Sequence, residues 1–401
     1  MHCHAVVTPV VDRMTHVPGA ALGTWTSVAT LGIGAFAIGT DMFVVAGVLR
    51  GLAGDLDVTV GAAGLTVTAF ALAYAIGAPL LSALIEERRV RSVLIGSLVL
   101  FGLFNLASAV APSLAALLGA RVLSALAASA HVPAAGAAAV AAVPANQRGR
   151  ALAVILGGSS MAMVLGAPLG VLLAATYSWR AAFGLVAALA AVTALGLLCS
   201  SVGSVVLTHS TVGQRLRLLR SPAVAGLLGV TLLVMTGSNS MYTYLDALLG
   251  SAGRPVGLGL LIGVFGVGGL VGTWWGGASA DRWGSRPIVL LAATVLTVGF
   301  ASFPLVTSTL AGALVVVAMW GSAAWGFVPA QQHRLIGLGP SAALLLLGLN
   351  SSAIHLGFAA GALLGGRVVD TAGAGPLWML AVACCGAGLI LHAQLTRRSQ
   401  S

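Results

Sequence analysis

Twelve long apolar runs constrain this chain more than any other feature. A transmembrane α-helix needs about 20 predominantly apolar residues, and only helices or closed barrels satisfy every backbone hydrogen bond inside a bilayer. The runs therefore predict an all-α integral membrane protein with twelve transmembrane helices. They cover residues 26–49, 62–84, 92–111, 114–140, 151–175, 181–202, 222–249, 258–279, 288–307, 309–330, 341–365 and 376–394.

The composition excludes a soluble domain. Hydrophobic residues make up 59% of the 401 residues and charged residues only 7%, whereas a soluble domain carries about 25% charge. The four cysteines lie at positions 3, 199, 384 and 385, a spacing that suits neither a metal site nor a disulfide framework. The sequence therefore predicts no metal and no cofactor. The first 20 residues contain no apolar segment typical of a cleaved signal peptide.

The arginines predict the orientation of the chain. All 19 basic residues are Arg, and 14 of them fall on one side of the predicted helices together with both termini. By the positive-inside rule this side is the cytoplasm. The net charge of +10 thus reports topology, and no nucleic-acid partner is predicted. The four arginines on the opposite side are Arg50, Arg180, Arg254 and Arg367, and Arg121 falls within a helix.

An internal repeat divides the predicted helices six and six. The segment GAPLG at residues 166–170 recurs as GALLG at 361–365, and the same offset of 195 residues aligns residues 82–91 with 277–286. A six-plus-six parallel repeat is a transporter architecture, with the binding site at the interface of the halves. The predicted parts are a cytoplasmic tail (1–25), two six-helix bundles (26–202 and 222–394), a cytoplasmic linker (203–221) and a second tail (395–401).

Two motifs are specific enough to compare with known families. Residues 277–286 read GASADRWGSR, in which Asp281 can pair with a neighbouring helix end while arginines flank it. Residues 164–170 read VLGAPLG, in which Pro168 removes a helix hydrogen bond and kinks the helix between Gly166 and Gly170.

Both motifs resemble those of the major facilitator superfamily, specifically its twelve-helix drug:proton antiporter branch, which includes bacterial chloramphenicol and sugar efflux permeases. The resemblance implies two pseudo-symmetric bundles that rock about a central cavity, and a kink of the antiporter type at residues 166–170. It also implies a conformational latch at the two copies of the loop motif, although the first copy departs from the family pattern. The latch residues would be Asp281, Arg282, Gly284, Arg286, Glu86 and Arg91.

Asp41 is the foremost candidate for a functional residue. It is the only charge between Thr26 and Leu49, and an ionisable group at bilayer depth is a functional-site hypothesis by default. Related permeases carry an acid one position later, where this chain has Met42. The resemblance implies proton coupling by Asp41 together with Arg121, which lies in the fourth run. The alternatives are an acid satisfied by a neighbouring helix and an arginine that extends to the headgroups.

Weaker candidates could line a cavity for a flat amphipathic molecule, although interfacial aromatic belts explain the Trp and Tyr residues equally well. His355 and His131 are also consistent with polar groups satisfied in the interior. The cavity candidates are Asn239, Tyr242, Tyr244, Trp320, Trp325, Asn350 and His355.

The leading functional hypothesis is proton-coupled export of a small amphipathic compound by a monomer in a bacterial inner membrane. The absence of lysine excludes a Walker motif and therefore ATP-driven transport by this chain. Uptake or facilitated diffusion of a nutrient or metabolite remains open as an alternative. A multi-pass membrane enzyme or a channel is a remote one, because neither requires a pseudo-symmetric repeat, and no catalytic constellation is evident.

Overall fold

The computed structural model describes residues 21–84, 90–200, 217–251 and 257–398. These residues form α-helices joined by short turns, and no strand occurs among them. Twelve segments are long and apolar enough to cross a membrane, which confirms the predicted all-α architecture. The predicted tail, linker and loop residues that fall outside these ranges, Glu86 among them, lie outside the described residues.

The first half contributes six membrane-crossing segments. The fifth is composite, because α6 and α7 are joined by a π-helical turn at Ala162–Gly166. The helices are α1 (Ala21–Val44), α2 (Leu49–Asp55), α3 (Val60–Leu84), α4 (Val90–Ala109), α5 (Leu114–Ala142), α6 (Arg148–Met161), α7 (Ala167–Thr176) and α8 (Trp179–Leu198).

The second half repeats this pattern with six more segments. The helices are α9 (Pro222–Thr243), α10 (Leu245–Ser251), α11 (Leu258–Trp283), α12 (Ser285–Val306), α13 (Leu310–Leu338), α14 (Ala343–Ala372) and α15 (Leu377–Arg398).

The first apolar run of each half is broken in the structure, where the sequence predicted a continuous helix. In the first half α1 ends at Val44, a 3-10 turn follows at Val45–Gly47, and α2 starts at Leu49. In the second half α9 ends at Thr243 and α10 starts at Leu245. Hydropathy did not reveal either break, because uncharged, largely apolar residues continue across both, at 44–48 in the first half and 243–245 in the second.

The internal repeat corresponds to one packing arrangement that occurs in both halves. A side chain at Gly166 would collide with Thr40 of α1, and a side chain at Gly361 would collide with the Thr236 backbone of α9. The repeated glycine segment thus packs closely against the first helix of its own half each time. Small residues allow this approach between helix backbones in a bilayer, where lipid supplies no hydrophobic drive for association.

Candidate functional site

Asp41 and Arg121 form an ion pair inside the first half. Nη1 of Arg121 donates to Oδ1 of Asp41 at 2.5 Å, and the Arg121 and Asp41 side chains are 1% and 0% exposed. Asp41 lies near the end of α1 and Arg121 in the second turn of α5. Arg121 therefore does not extend to the headgroups, and Asp41 faces a partner within the protein.

Aromatic rings and one amide surround this pair. The guanidinium of Arg121 stacks over Phe70 at 4.4 Å and near Phe183 at 5.3 Å, and the side chain of Asn105 faces the Asp41 carboxylate. The pair is incompletely satisfied, because Oδ2 of Asp41 and Nε of Arg121 have no hydrogen-bond partner among the described residues. A buried polar atom without a partner requires an explanation, such as a bound proton, water or ligand.

A small cavity next to the pair lies between the two halves. Its volume is about 10 Å³, and its lining includes Arg121 and Met42 from the first half and Asn239 and Phe358 from the second. Asp41 is not part of the lining. Arg121 therefore stands between the carboxylate and the interface. Met42, at the family's usual place for the acid, faces the cavity directly.

An aromatic cluster continues this interface into the second half. Tyr242 donates its hydroxyl to the Phe43 carbonyl at 3.1 Å, and Phe43 also packs edge-on against Trp325 at 5.8 Å. The Trp320 indole lies 6.3 Å from the Tyr242 ring and donates to Oγ of Ser238 at 2.8 Å. Three of the seven cavity candidates, Tyr242, Trp320 and Trp325, thus belong to one cluster.

The side chains of the other four cavity candidates make contacts between helices. Nδ2 of Asn239 donates to the Phe358 carbonyl at 2.8 Å, and Oδ1 of Asn350 accepts from Thr231 at 2.9 Å. Tyr244 donates to the Ala362 carbonyl at 2.7 Å. His355 stacks on Tyr74 of the first half with ring centroids 4.0 Å apart. Of the four, Asn239 alone lines the small cavity.

Hydrogen bonds and an ion pair connect the two halves at the end of the molecule that contains α2 and α10. The carboxylate of Asp370 accepts from the Thr59 hydroxyl and the Gly61 amide, both at 2.9 Å. Arg50 donates to the Ala247 carbonyl at 3.1 Å and lies 3.6 Å from Asp246. We term this end, defined by Arg50, Thr59, Gly61, Asp246 and Asp370, the closed end; the opposite end carries Ala21 and Arg398 and is termed the terminal end.

Sequence reasoning did not select the closed-end residues. Asp370 and Gly61 lie 309 positions apart, and no local pattern links them. The available signals were an acid, Asp370, shortly after the eleventh run and a threonine, Thr59, shortly before the second. A threonine in that place is a typical N-cap, and Thr59 does accept from the Ala62 amide at 3.0 Å.

Comparison with known protein families identifies the family of this chain. A family model described as Major Facilitator Superfamily matches residues 31–337. The chain belongs to the major facilitator superfamily.

Curated relatives are similar over most of the chain, and a solved structure shares its fold. The inner membrane transport protein YdhP of Escherichia coli O157:H7 is 32% identical over 365 residues, covering 90% of this chain and 93% of YdhP. A chloramphenicol resistance protein of Streptomyces lividans is 31% identical over 360 residues, covering 87% of this chain and 91% of that protein. The crystal structure of the nucleoside transporter NupG shares the fold with a TM-score of 0.74 at 13% identity, covering 94% of this chain and 98% of NupG. This chain is a multi-pass membrane transporter of the same superfamily.

The superfamily's loop motif lies at the terminal end and shows contacts within the second half. Asp281 in the last turn of α11 lies 3.9 Å from Nε2 of His333, and Arg282 lies over the Trp283 ring at 5.5 Å. Gly284 separates α11 from Arg286 at the start of α12 and adopts a φ of 82°, a left-handed conformation that favours glycine.

The first copy of the motif is represented by Arg91. Its Nη2 donates to the Leu198 carbonyl at 3.0 Å, near the end of α8 in the same half. Basic side chains often satisfy the free carbonyls of a helix C-terminus in this way. Glu86, the other first-copy residue of the predicted latch, lies outside the described residues.

The kink motif lies where the composite fifth segment meets both α1 and the second half. The π-helical turn Ala162–Gly166 ends two residues before Pro168, and proline cannot donate the hydrogen bond that continues a regular helix. A side chain at Gly170 would collide with Val44 of α1. On its other side Pro168 faces Gly263 of α11, where an added Cβ would lie 3.6 Å from the proline ring.

His131 occupies a second polar site within the first half. It is fully buried, with Nδ1 3.1 Å from Oγ of Ser97 and 3.2 Å from the Leu94 carbonyl. Nε2 has no hydrogen-bond partner among the described residues and points at Gly34, where a Cβ would lie 2.8 Å away. Within the described ranges, no group of three or more His, Cys, Asp or Glu side chains could hold a metal ion.

Proposed function

We propose that this transporter exports a small amphipathic compound in exchange for protons, and that Asp41 and Arg121 couple the two movements. The observation that carries the proposal is the buried pair with a free carboxylate oxygen, Oδ2 of Asp41. A carboxyl group at this depth is costly unless it is paired or neutral. Proton uptake at Oδ2 makes Asp41 neutral and removes the charge that holds Arg121.

The position of Arg121 explains how proton and cargo can exclude one another. Arg121 bonds Asp41 on one side and lines the cavity between the halves on the other. While Asp41 is charged, the guanidinium is held within the first half. When Asp41 is protonated, Arg121 is free to turn toward the cavity and alter cargo binding. Differential binding of this kind is what allows a ligand to shift a conformational equilibrium.

The surrounding interface suits an amphipathic cargo. Phe43, Tyr242, Trp320 and Trp325 supply aromatic surface, and Asn239 supplies an amide at the cavity. Arg121 is the one charged side chain in the cavity lining, which favours a neutral or weakly charged molecule. Because the Streptomyces lividans relative is a chloramphenicol resistance protein, chloramphenicol is the first compound to test.

We further propose that the terminal end faces the cytoplasm of a bacterial cell and that the closed end faces outward. The placement of the arginines supports this orientation. In this orientation Asp370, Arg50 and their partners seal the outer side. In this proposal the latch residues at the terminal end, including Asp281 and Arg286, engage in the opposite state. One polypeptide is proposed to suffice for transport.

Inside-out membrane vesicles test the coupling. Uptake of chloramphenicol and of a panel of amphipathic dyes is measured after a proton gradient is imposed and again after it is collapsed, with ATP depleted throughout. We expect accumulation only with the gradient. Asp41→Asn should abolish accumulation, Asp41→Glu should retain part of it, and Asp57→Asn, at an exposed carboxylate, should match the wild type.

Two outcomes would contradict the proposal. Transport that persists without a gradient would leave facilitated diffusion, the alternative for this fold. Full gradient-driven transport by Asp41→Asn would make the carboxylate structural. The double variant Asp41→Thr, Met42→Glu moves the acid to the family's usual place on the cavity wall, and it should restore coupling if either place serves the same cavity.

A further inference from the structure

An apolar groove runs between α12 and α13 on the outside of the second half. Its volume is about 360 Å³. The exposed rims include Val298, Val315 and Met319, which are 60%, 59% and 50% exposed, whereas Phe300 and Trp320 on its floor are only 2% and 3% exposed. The groove is therefore a cleft with a defined floor and two walls, which distinguishes it from a flat helix surface.

The surroundings of the groove determine what can fill it. Both α12 and α13 are membrane-crossing helices, so the rims face hydrocarbon. Thr294 and Ser302 are the polar side chains of the lining, and the Ser302 hydroxyl already donates to the Gly299 carbonyl at 3.0 Å. Water in such a site would lack the two to four polar partners that it needs. An empty groove would forfeit the dispersion contacts of its lining.

The indole of Trp320 forms the partition between this groove and the interface of the halves. Its N–H donates to Ser238 on α9 at 2.8 Å, so the polar atom is engaged on the inner side. The ring packs edge-on against Phe300 at 5.4 Å and Phe265 at 5.0 Å. The surface that Trp320 offers to the groove is consequently apolar.

We propose that this groove binds an acyl chain of a bilayer lipid, which lies between Val315 and Val298 and contacts the Trp320 indole. A slender hydrocarbon matches a cleft that is apolar, open along its side and continuous with the bilayer core. Met319 on the rim is flexible and polarizable, and such a side chain adapts to irregular apolar partners. The proposed occupant is distinct from the cargo, and its binding requires no proton coupling.

Quenching of tryptophan fluorescence by brominated acyl chains tests the contact. The chain has 8 tryptophans, and three variants would each retain one of them with the others replaced by Phe. Trp274 is 76% exposed on the outer surface and serves as the quenched reference, and Trp179, 3% exposed, serves as the buried reference. In bilayers of lipids brominated at several depths, Trp320 should be quenched to an extent comparable to Trp274, although its burial equals that of Trp179.

A variant that fills the groove tests whether the brominated chain reaches Trp320 through the groove. Gly299 lines the groove, and an added Cβ would meet Val316 at an ordinary 3.9 Å, so Gly299→Leu should occupy the space and abolish quenching of Trp320. Gly386→Leu is the matched control, because an added Cβ there also lies 3.9 Å from a side chain of α12, Thr297, outside the groove lining. Quenching that survives Gly299→Leu would contradict the proposal. So would a Trp320 that resembles Trp179 in every bilayer.

The unmodified protein provides a second measurement, in case the single-tryptophan variants fold poorly. A phospholipid with a diazirine in its acyl chain is photolysed in the bilayer, and the adducts are located by mass spectrometry. We expect adducts at Met319 and Val315, and loss of those adducts in Gly299→Leu. Adducts elsewhere on the outer surface without any at these positions would show that lipid does not occupy the groove. Competition by an added amphipathic dye would instead identify the dye as the occupant.

Discussion

The carboxylate of Asp370 accepts a hydrogen bond from the backbone amide of Gly61 at 2.9 Å, so a side chain of one half caps the first turn of a helix in the other. The same carboxylate accepts from the Thr59 hydroxyl. The start of a helix carries free amides and a partial positive charge. The contact can exist only while the halves are together at the closed end, and it therefore stabilises that arrangement selectively.

Removal of this cap should open the closed end. Asp370→Ala removes the acceptor of both hydrogen bonds. Loss of one such bond costs about 0.5–1.5 kcal/mol, or about a two- to thirteen-fold shift in the ratio of closed to open molecules for each bond. The distance between spin labels at positions 51 and 375, both exposed, reports the change. Asp57→Asn is the control, since Asp57 is exposed at the same end in a left-handed conformation that Asn tolerates. An unchanged distance distribution in Asp370→Ala would show that other contacts determine closure.

A single methyl group at Gly61 should have a larger effect than loss of the cap. The Cβ of Gly61→Ala would collide with the Asp370 carboxylate and with the Gly366 backbone carbonyl. The carboxylate can turn away but the backbone cannot, so α3 and α14 must separate. We expect the labels at 51 and 375 to move apart. Gly54→Ala, at a helical glycine of the same end with no atom within 4 Å of an added Cβ, should leave the distance unchanged.

A double variant of the buried pair can separate the structural role of Asp41 from its proposed role in transport. Asp41→Asn leaves Arg121 without a counter-charge, and breaking a buried pair in this way costs about 3–5 kcal/mol, whereas an apolar replacement of both partners is often neutral. We therefore expect a lowered Tm in the single variant Asp41→Asn. The Tm should recover in the double variant Asp41→Asn, Arg121→Met, because neither charge remains. Gradient-driven transport should stay absent in both. Recovery of transport along with stability would refute a coupling role for the pair.

The sequence predicted the helices well and the contacts poorly, for a physical reason. Twelve apolar runs suffice to predict twelve spans, because hydrocarbon permits little else. Asp41 and Arg121 were each conspicuous as charges in apolar surroundings. Their pairing across 80 residues depended on helix rotation, which hydropathy does not contain. The Asp370–Gly61 contact depends additionally on how the halves meet. Trp320 shows the same limit, because a tryptophan in an apolar run suits a cavity wall, a lipid-facing belt or the partition that it forms in the structure.

The contact between Arg180 and Asp55 at the closed end should be insensitive to physiological pH. The hydrogen bond from Arg180 lowers the pKa of the Asp55 carboxyl below its ordinary 3.8. A lowered folded-state pKa contributes stability above the unfolded pKa and loses it as pH falls through the folded value. The difference in Tm between the wild type and Asp55→Asn should thus be constant from about pH 5 to 8 and shrink only in stronger acid. A difference that changes near neutrality would indicate that another group controls the contact.

The orientation of the chain is the last prediction, and the proposed direction of transport depends on it. Alkaline phosphatase is active only when exported, so its fusion after Arg217, beside the start of α9 at the terminal end, should be inactive. Fusion after Ser251, at the end of α10, should be active because α9 has carried the chain across the membrane. The physical cause is the resistance of short arginine-rich segments to translocation, and Arg215 and Arg217 lie just before the first fusion point. Matched β-galactosidase fusions should give the opposite pattern. If the phosphatase were active after Arg217 and inactive after Ser251, the closed end would face the cytoplasm, and Asp370 and Arg50 would seal the inner rather than the outer side.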